Sequence, residues 1–153
     1  LDDRKAPGSI ERHALELHLS TDIDLVYSNM LITHKANETF ENNSSNGERY
    51  DFPDFSFENL LRGNMPHASP MWRKTVHEKY GYFEEKYRSA ADWEMWLRCA
   101  SQGSVFKKFN DVVGLYYFNP TGISTNPEHD GWKRKEEIEI FKKYQKLFMS
   151  QEK

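Results

Sequence analysis

The order of apolar and polar positions divides the chain into intermixed helices and strands. Residues 23–33 (IDLVYSNMLIT) are apolar, branched and aromatic, which predicts a buried strand. Before this strand, an amphipathic pattern over 10–19 predicts a helix with Ser9 as its cap. The face that this helix is expected to bury carries residues at spacings of four and three: Ile10, Ala14 and Leu17.

The rest of the chain repeats neither a motif nor a regular strand–helix unit. Its predicted elements are, in order, helix 55–63, strand 67–74, helix 75–81, helix 91–101, strands 105–109 and 111–118, loop 119–131 and helix 131–150. Residues 35–56 are polar and contain the turn signal Asn46-Gly47, so this stretch is either a β-ribbon or a surface loop. Intermixed helices and strands without a repeat predict an α/β or α+β domain.

Composition narrows the class of protein. The 153 residues suffice for one domain with a core, and 14% of them are aromatic, which suits both packing and the binding of flat faces such as sugar rings. The net charge of −3 offers no basic excess, so no nucleic-acid partner is expected. The single cysteine, Cys99, excludes an internal disulfide framework and favours a reducing, cytoplasmic location. Its place among apolar helix residues predicts a packed thiol rather than a nucleophile.

Asp92 opens the aromatic-rich helix in SAADWEMWLRC (89–99) and has two interpretations. Ser89 followed by an acid three residues later fits a capping box, in which Asp92 only starts the helix. Alternatively, a carboxylate fixed at a helix start beside bulky apolar groups can serve as a general base. Trp93 either packs in the core or borders a pocket, whereas Trp96 is expected in the core. Spacing alone favours the capping interpretation.

Two further places carry side chains suited to a site. Asp2 and Asp3 are either a solvated terminus or a site for a hard cation, because Mg²⁺ and Mn²⁺ are held by one or two carboxylates together with substrate phosphates. The histidines show no metal-binding spacing. Among them, His67 in a predicted strand is the one that we place near a site.

Residues 131–153 form a predicted amphipathic helix, separate from the domain at 1–130. One face of the helix carries Phe141, Tyr144 and Phe148, and the other carries many lysines. Such a helix is expected to dock on its own domain. The second alternative is peripheral contact with the inner face of a membrane.

Four segments, in their order, resemble the second half of family 2 glycosyltransferases, the inverting enzymes of GT-A type. LDDRKAPGSIERH (1–13) is similar to the acidic DxD-type segment and the following helix, and DLVYSNMLI (24–32) is similar to the next strand. MWRKTVHEKYGYFEEKYRSAADWEMWLRCASQG (71–103) resembles the most specific stretch, an Arg-bearing strand, a Gly-aromatic turn and an acid-aromatic helix. GLYYFNPTGIST (114–125) is similar to the closing strand and loop. The resemblance covers nearly all of residues 1–125.

The resemblance implies roles for particular residues. Asp92 would be the catalytic base that accepts a proton from the acceptor hydroxyl. Asp3, with Asp2, would bind the Mg²⁺ or Mn²⁺ that neutralises the departing diphosphate. Asn119 stands where the family often has a metal-contacting His, so it is assigned to the same cofactor side. Together with His67 and Trp93, which were placed near a site above, Tyr82 of the Gly-aromatic turn is expected to bind substrate.

The resemblance also implies a fold and a reaction. The fold would be the mixed-sheet, acceptor-side α/β portion of a GT-A enzyme, lacking the N-terminal nucleotide-binding half, and the start at Leu1 agrees with a piece of a longer protein. The reaction would transfer a sugar, with inversion, from a nucleotide-diphosphate sugar to a saccharide or lipid-linked acceptor. Residues 1–153 alone are expected to be inactive. The alternatives are a non-catalytic carbohydrate-binding or interaction module and a hydrolase that uses two acids.

Overall fold

The fold is a mixed α/β arrangement, and the computed structural model describes residues 3–151 of it, with Gln151 described by its backbone alone. Its elements are, in chain order, β1 (Arg4–Lys5), α1 (Ser9–Leu19), β2 (Leu25–Thr33), β3 (Arg49–Tyr50), α2 (Phe57–Arg62), β4 (Met71–Trp72), α3 (Thr75–Tyr80), α4 (Ala91–Ser101), β5 (Phe106–Tyr117) and α5 (Asp130–Gln151). A turn of 3-10 helix at Pro127–His129 precedes α5. Asp2, predicted to bind a cation, lies outside the described residues.

The sheet is mixed and has β2 at its centre. Its strands run in the order β1-β5-β2-β3, and β4 pairs with the beginning of β2. The β2–β5 pair is parallel and the other pairs of this sheet are antiparallel. Leu25 and Tyr27 of β2 face one apolar cluster and Val26 faces another. Because β2 is buried on both faces, its sequence is a nearly continuous apolar run. The predicted mixed sheet is confirmed.

Strand β5 is continuous, so the two strands predicted over 105–109 and 111–118 are one. Its pairing with β2 passes from Ser28–Phe109 to Asn29–Val112, which leaves two residues of β5 without a partner in the register. Asn110 and Asp111, at the junction of the two predicted strands, therefore form an irregularity of the bulge type inside the ladder. The strand continues because β2 remains its partner on both sides of this point.

Residues 34–48 form a loop, which decides between the two interpretations of the polar stretch. Asn46 and Gly47 do adopt the left-handed conformation of a tight turn, with φ of 51° and 84°. However, the following strand β3 contributes only two residues to the sheet. A β-ribbon would need paired backbone on both sides of the turn. Here side chains hold the loop instead; for example, Ser45 Oγ donates to Asn43 Oδ1 at 2.6 Å.

Helix α1 lies where the amphipathic pattern predicts it and buries Leu17 as predicted, but the rest of its buried face differs. Ile10 is 56% exposed, and the buried positions are Ser9, His13 and Leu17. His13 turns inward because β2 presents a polar group there, and its Nε2 lies 2.8 Å from Ser28 Oγ. The capping role predicted for Ser9 is wrong, since Gly8 holds the cap position and no side-chain capping bond forms.

The core is centred on α4 and confirms two predictions. Trp96 is 1% exposed, and Ile140 and Tyr144 of α5 are buried in the same cluster, so the terminal helix docks on its own domain. Phe148 extends this docking by stacking on Phe57, with ring centroids 5.6 Å apart. Cys99 is buried in the cluster, and burial raises the pKa of its thiol to about 11, which fits a packed rather than a nucleophilic cysteine.

Gly114 of β5 lies so close to β1 that a side chain has no room. A Cβ atom there would meet the carbonyl oxygen of Arg4 well inside van der Waals contact. We expect Gly114→Ala to push β1 away and to lower the free energy of unfolding by about 1–3 kcal/mol, the usual cost of overpacking, in a urea titration. Gly131→Ala is the control, because a Cβ at Gly131 meets no atom within 4 Å. Equal effects of the two substitutions would contradict the prediction.

Candidate active site

A cavity of about 500 Å³ lies where the start of α4 meets the end of α2 and the first turns of α5. Polar, charged and aromatic side chains line it: Arg62, Asp92, Trp93, Tyr116, Lys133 and Glu137. A cleft of this size with a few convergent polar groups is typical of a site for a small molecule such as a sugar. Three of the predicted site residues, His67, Asp92 and Trp93, therefore border one cavity.

Asp92 is held in its position by two hydrogen bonds that do not form a capping box. Its Oδ1 accepts from the backbone N–H of Trp93 at 2.8 Å, and its Oδ2 accepts from Nδ2 of Asn64 at 2.7 Å. Ala90 occupies the cap position of α4 and makes no side-chain capping bond. The capping-box interpretation is therefore wrong. The Asp92 carboxylate contacts a side chain from another segment and faces the cavity.

The backbone N–H groups just before α4 are bound by an acid from α5. The Glu136 carboxylate accepts from the backbone N–H groups of Arg88, Ser89 and Ala90 at 2.9, 3.0 and 3.3 Å. A carboxylate at this end of a helix is also favoured by the helix dipole. Sequence inspection could not find this contact, because the partners are more than 40 residues apart.

Asn64 is a site residue that sequence reasoning missed. It donates to Asp92, and its Oδ1 accepts from the backbone N–H of His67 at 3.4 Å. The Asn64 side chain thus joins the segment after α2 to the acid at the start of α4. The sequence signal, an Asn after Gly63 at the end of a helix, indicates only a turn.

His67 lines the same cavity and lies among aromatic rings. Its ring centroid is 4.7 Å from that of Tyr116 and 4.8 Å from that of Tyr50, and its φ of 42° is in the left-handed region. Burial lowers the pKa of His67, and the charges of Asp92 and Asp3 oppose this only in part. The imidazole is therefore neutral at neutral pH. Its buried Nδ1 has no hydrogen-bond partner within residues 3–151.

Asp3 and Asn119 line a smaller cavity of about 190 Å³ that adjoins the first. Tyr116 and Ser124 line both cavities, so the two spaces share a wall. Asp3 Oδ1 accepts from the backbone N–H of Tyr117 at 3.0 Å. The oxygen of the Asn119 side chain accepts from both the N–H and the hydroxyl of Thr121. The structure therefore brings the predicted cofactor side next to the predicted base.

The fit of a divalent cation depends on Asp3. Within residues 3–151 no cluster of three or more histidine, cysteine or acidic side chains forms a closed metal site. One carboxylate fits Mg²⁺ or Mn²⁺ when water and substrate phosphates supply the remaining ligands. Asn119 is a poorer ligand here, because its side-chain oxygen already accepts two hydrogen bonds.

Tyr82 does not line either cavity. Its ring is 68% exposed and stacks on His77, with centroids 4.4 Å apart and planes 5° apart. Its carbonyl oxygen accepts a hydrogen bond from Arg98 at 2.7 Å. The substrate-binding role of Tyr82 stays a prediction, and its position in the structure offers no support for it.

The mixed α/β fold is compatible with part of a glycosyltransferase. The chain is similar to "Uncharacterized glycosyltransferase YwdF" of Bacillus subtilis (strain 168), with 28% identity over 146 residues. This match covers 90% of the chain and 50% of the relative, so the chain spans about half the length of the protein it matches. No family model matches the chain. The similarity supports a relationship to glycosyltransferases.

Proposed function

We propose that the chain is the acceptor-side part of a family 2, GT-A type glycosyltransferase. The enzyme would transfer a sugar from a nucleotide-diphosphate donor to a hydroxyl group of its acceptor, with inversion. The observation that carries this proposal is the Asp92 carboxylate, which is fixed by two donors on the wall of a sugar-sized cavity. The similarity to a protein named as a glycosyltransferase supports the same class.

In this proposal Asp92 accepts the proton of the acceptor hydroxyl as the hydroxyl oxygen attacks the sugar. A carboxylate offers about four lone-pair sites, so the two bonds from Asn64 and Trp93 orient it and leave capacity for the acceptor. Inversion needs one such base and no covalent intermediate on the protein. The indole of Trp93 would offer its flat face to the sugar ring. The neutral His67 would bind a substrate hydroxyl.

The donor side of the proposal is the smaller cavity. Asp3, together with Asp2, would hold Mg²⁺ or Mn²⁺, whose charge would stabilise the departing diphosphate. Asn119 would keep the loop at this cavity in shape through its bonds to Thr121. The saccharide or lipid-linked acceptor would approach Asp92 through the larger cavity.

The proposed location is the cytoplasm, as the single buried cysteine favours. Within residues 3–151 no helix has the length and apolar character that crossing a bilayer requires. The proposed peripheral membrane contact of α5 would need a face other than that of Tyr144 and Phe148, because these residues pack on the domain.

Hydrolysis is the second candidate function, and one observation favours it. Glu137 lines the same cavity as Asp92, so two carboxyl groups border one space. Glycoside hydrolysis uses such a pair when the two groups lie about 5–9.5 Å apart. The two functions differ in their substrates, since a hydrolase releases sugar to water, whereas a transferase needs an acceptor.

The test is a donor and acceptor screen with the complete natural polypeptide that contains this chain. We expect release of nucleoside diphosphate that requires an acceptor, stops on removal of divalent cations with EDTA and returns with excess Mg²⁺ or Mn²⁺. Proton NMR of the product should show the anomer opposite to that of the donor. Residues 1–153, assayed in parallel, should be inactive.

Each other outcome of the screen identifies an alternative. Sugar release without an acceptor would indicate the hydrolase. Saccharide binding without turnover of any donor would indicate the non-catalytic module. Activity that is unchanged in EDTA would remove the cation from the proposal.

A further inference from the structure

A groove of about 450 Å³ continues from the larger cavity between α2 and α5. Arg62, Trp93 and Glu137 line both spaces, so the groove opens directly from the cavity that holds Asp92. The groove shares no lining residue with the smaller cavity at Asp3. It therefore leaves the larger cavity by a different wall from the proposed donor side.

The floor of the groove is apolar. Leu61 and Trp93 are buried beneath it, and Phe141 is half-buried against the core. Ile138 also lines the groove and is 44% exposed. Trp93 is fixed by the bond from its Nε1 to the Leu60 carbonyl oxygen at 2.7 Å. A rigid apolar floor that opens to solvent suits the chain of an amphiphile.

The rim of the groove is basic. Arg62, Arg134 and Lys142 supply three positive charges, against one negative charge from Glu137. Arg62 is paired with Glu58 at 2.5 Å. Arg134 and Lys142 have no ion pair within residues 3–151, so their charges remain to attract an anion such as a phosphate.

We propose that this groove binds the aglycone of a lipid-phosphate acceptor, with the phosphate at Arg134 and Lys142 and the hydrocarbon chain over Ile138. The proposal rests on the proposed sugar transfer for the sugar end of that acceptor, which would lie in the larger cavity before Asp92. The charged rim selects an anionic amphiphile over a neutral one. The shared Trp93 places the aglycone next to the reacting sugar.

The test measures binding without turnover. Decyl phosphate, below its micellar concentration, is titrated into ¹⁵N-labelled residues 1–153 while the indole N–H signal of Trp93 is followed by NMR. Decyl β-glucoside, with the chain but no charge, and inorganic phosphate, with the charge but no chain, are the comparison probes. We expect decyl phosphate to shift the Trp93 signal with at least about tenfold higher affinity than either comparison probe, since both parts of the groove contribute.

Two matched double substitutions test the assignment of the charges. R134Q with K142Q removes the unpaired rim charges and should weaken decyl phosphate binding by about tenfold. K135Q with K146Q removes the same charge from exposed positions of α5 outside the groove and should leave the affinity within about twofold. I138S tests the floor and should weaken both decyl compounds. Circular dichroism and urea midpoints establish that each variant folds.

Several results would overturn the inference. One is an affinity for decyl glucoside or for inorganic phosphate that equals the affinity for decyl phosphate. Another is an equal loss of decyl phosphate affinity in the two double variants. The last is binding to anionic vesicles of phosphatidylglycerol without binding to monomeric decyl phosphate. The failure of sugar transfer in the donor screen is a separate result. That result would contradict the proposed function, but the binding of decyl phosphate to the groove would still be tested by the titrations above.

Discussion

Asp92→Asn is expected to reduce sugar transfer by the complete polypeptide by about 10²–10⁴-fold, the usual contribution of a general base. The substitution replaces a proton acceptor by an amide of the same shape. It should change the free energy of unfolding by only about 1 kcal/mol, because the amide oxygen can still accept one of the two hydrogen bonds from Asn64 and Trp93. Initial rates and urea titrations measure the two effects, and donor affinity should be unchanged.

Two further variants isolate the role of Asp92. Asp22→Asn makes the same chemical change at an exposed position outside the cavities and should leave the rate unchanged. Asn64→Ala removes one of the donors that orient Asp92 and should lower the rate by about tenfold, with a change in the pH–rate profile that a merely structural role would not produce. If Asp92→Asn unfolds the protein, or folds and keeps full activity, the base assignment is wrong.

Glu94→Gln is expected to cause the largest loss of stability, about 3 kcal/mol or more in a urea titration, the range for breaking a buried ion pair. Glu94 is fully buried in α4. It accepts hydrogen bonds from Tyr144 at 2.6 Å, Lys143 at 2.9 Å and Arg98 at 3.1 Å. Arg98 also donates to the carbonyl oxygen of Tyr80, so the network joins α4, α5 and the end of α3. Neutralising Glu94 leaves the cations of Arg98 and Lys143 without their counter-charge.

The effect of Glu94 should depend on pH in a defined direction. Burial alone would raise the pKa of Glu94, but the hydrogen bonds from Tyr144, Arg98 and Lys143 together outweigh it, so the pKa is lowered below its ordinary value of 4.5. The stabilisation is therefore complete above pH 4.5 and is lost as the pH falls through the lowered value. The difference between wild type and Glu94→Gln should shrink at acid pH.

Glu139→Gln is the matched control for Glu94→Gln. Glu139 also accepts from a lysine and a tyrosine, Lys86 at 2.6 Å and Tyr87 at 2.9 Å, but at the exposed surface. Solvent screens such a pair, so its loss should be far smaller than that of Glu94. A similar loss in the two variants would show that burial does not set the energy of the Glu94 network.

Local patterns predicted the elements of the fold better than their contacts. The strand at 25–33 and the helix at 91–101 follow from residue types within each segment, so periodicity sufficed for both. The buried face of α1 did not, because it depends on Ser28 of a strand that lies opposite His13. The continuous strand β5 was divided in two because a bulge and a turn share the same polar residues.

The candidate site shows the same division between local and distant information. Asp92 was singled out by its type and its resemblance to a family motif, and it does lie on a cavity. Asn64, which holds Asp92, lies 28 residues from it in the chain, and Glu136 lies 47 residues from Ser89, whose N–H it accepts. Only the folded chain brings these residues together. The capping-box prediction was wrong for this reason, because Glu136 accepts the Ser89 N–H that the acid of a capping box would bind.

The position of Glu136 has a consequence for how the sequence can change. A single carboxylate on α5 accepts three consecutive backbone N–H groups just before α4, and two positions of the same helix, Lys133 and Glu137, border the cavity. The main-chain groups at 88–90 are present whatever their side chains, so residue 136 is constrained by backbone shape rather than by a partner residue. In related sequences, substitutions at 136 should therefore accompany insertions or deletions at 88–90 more often than side-chain replacements there.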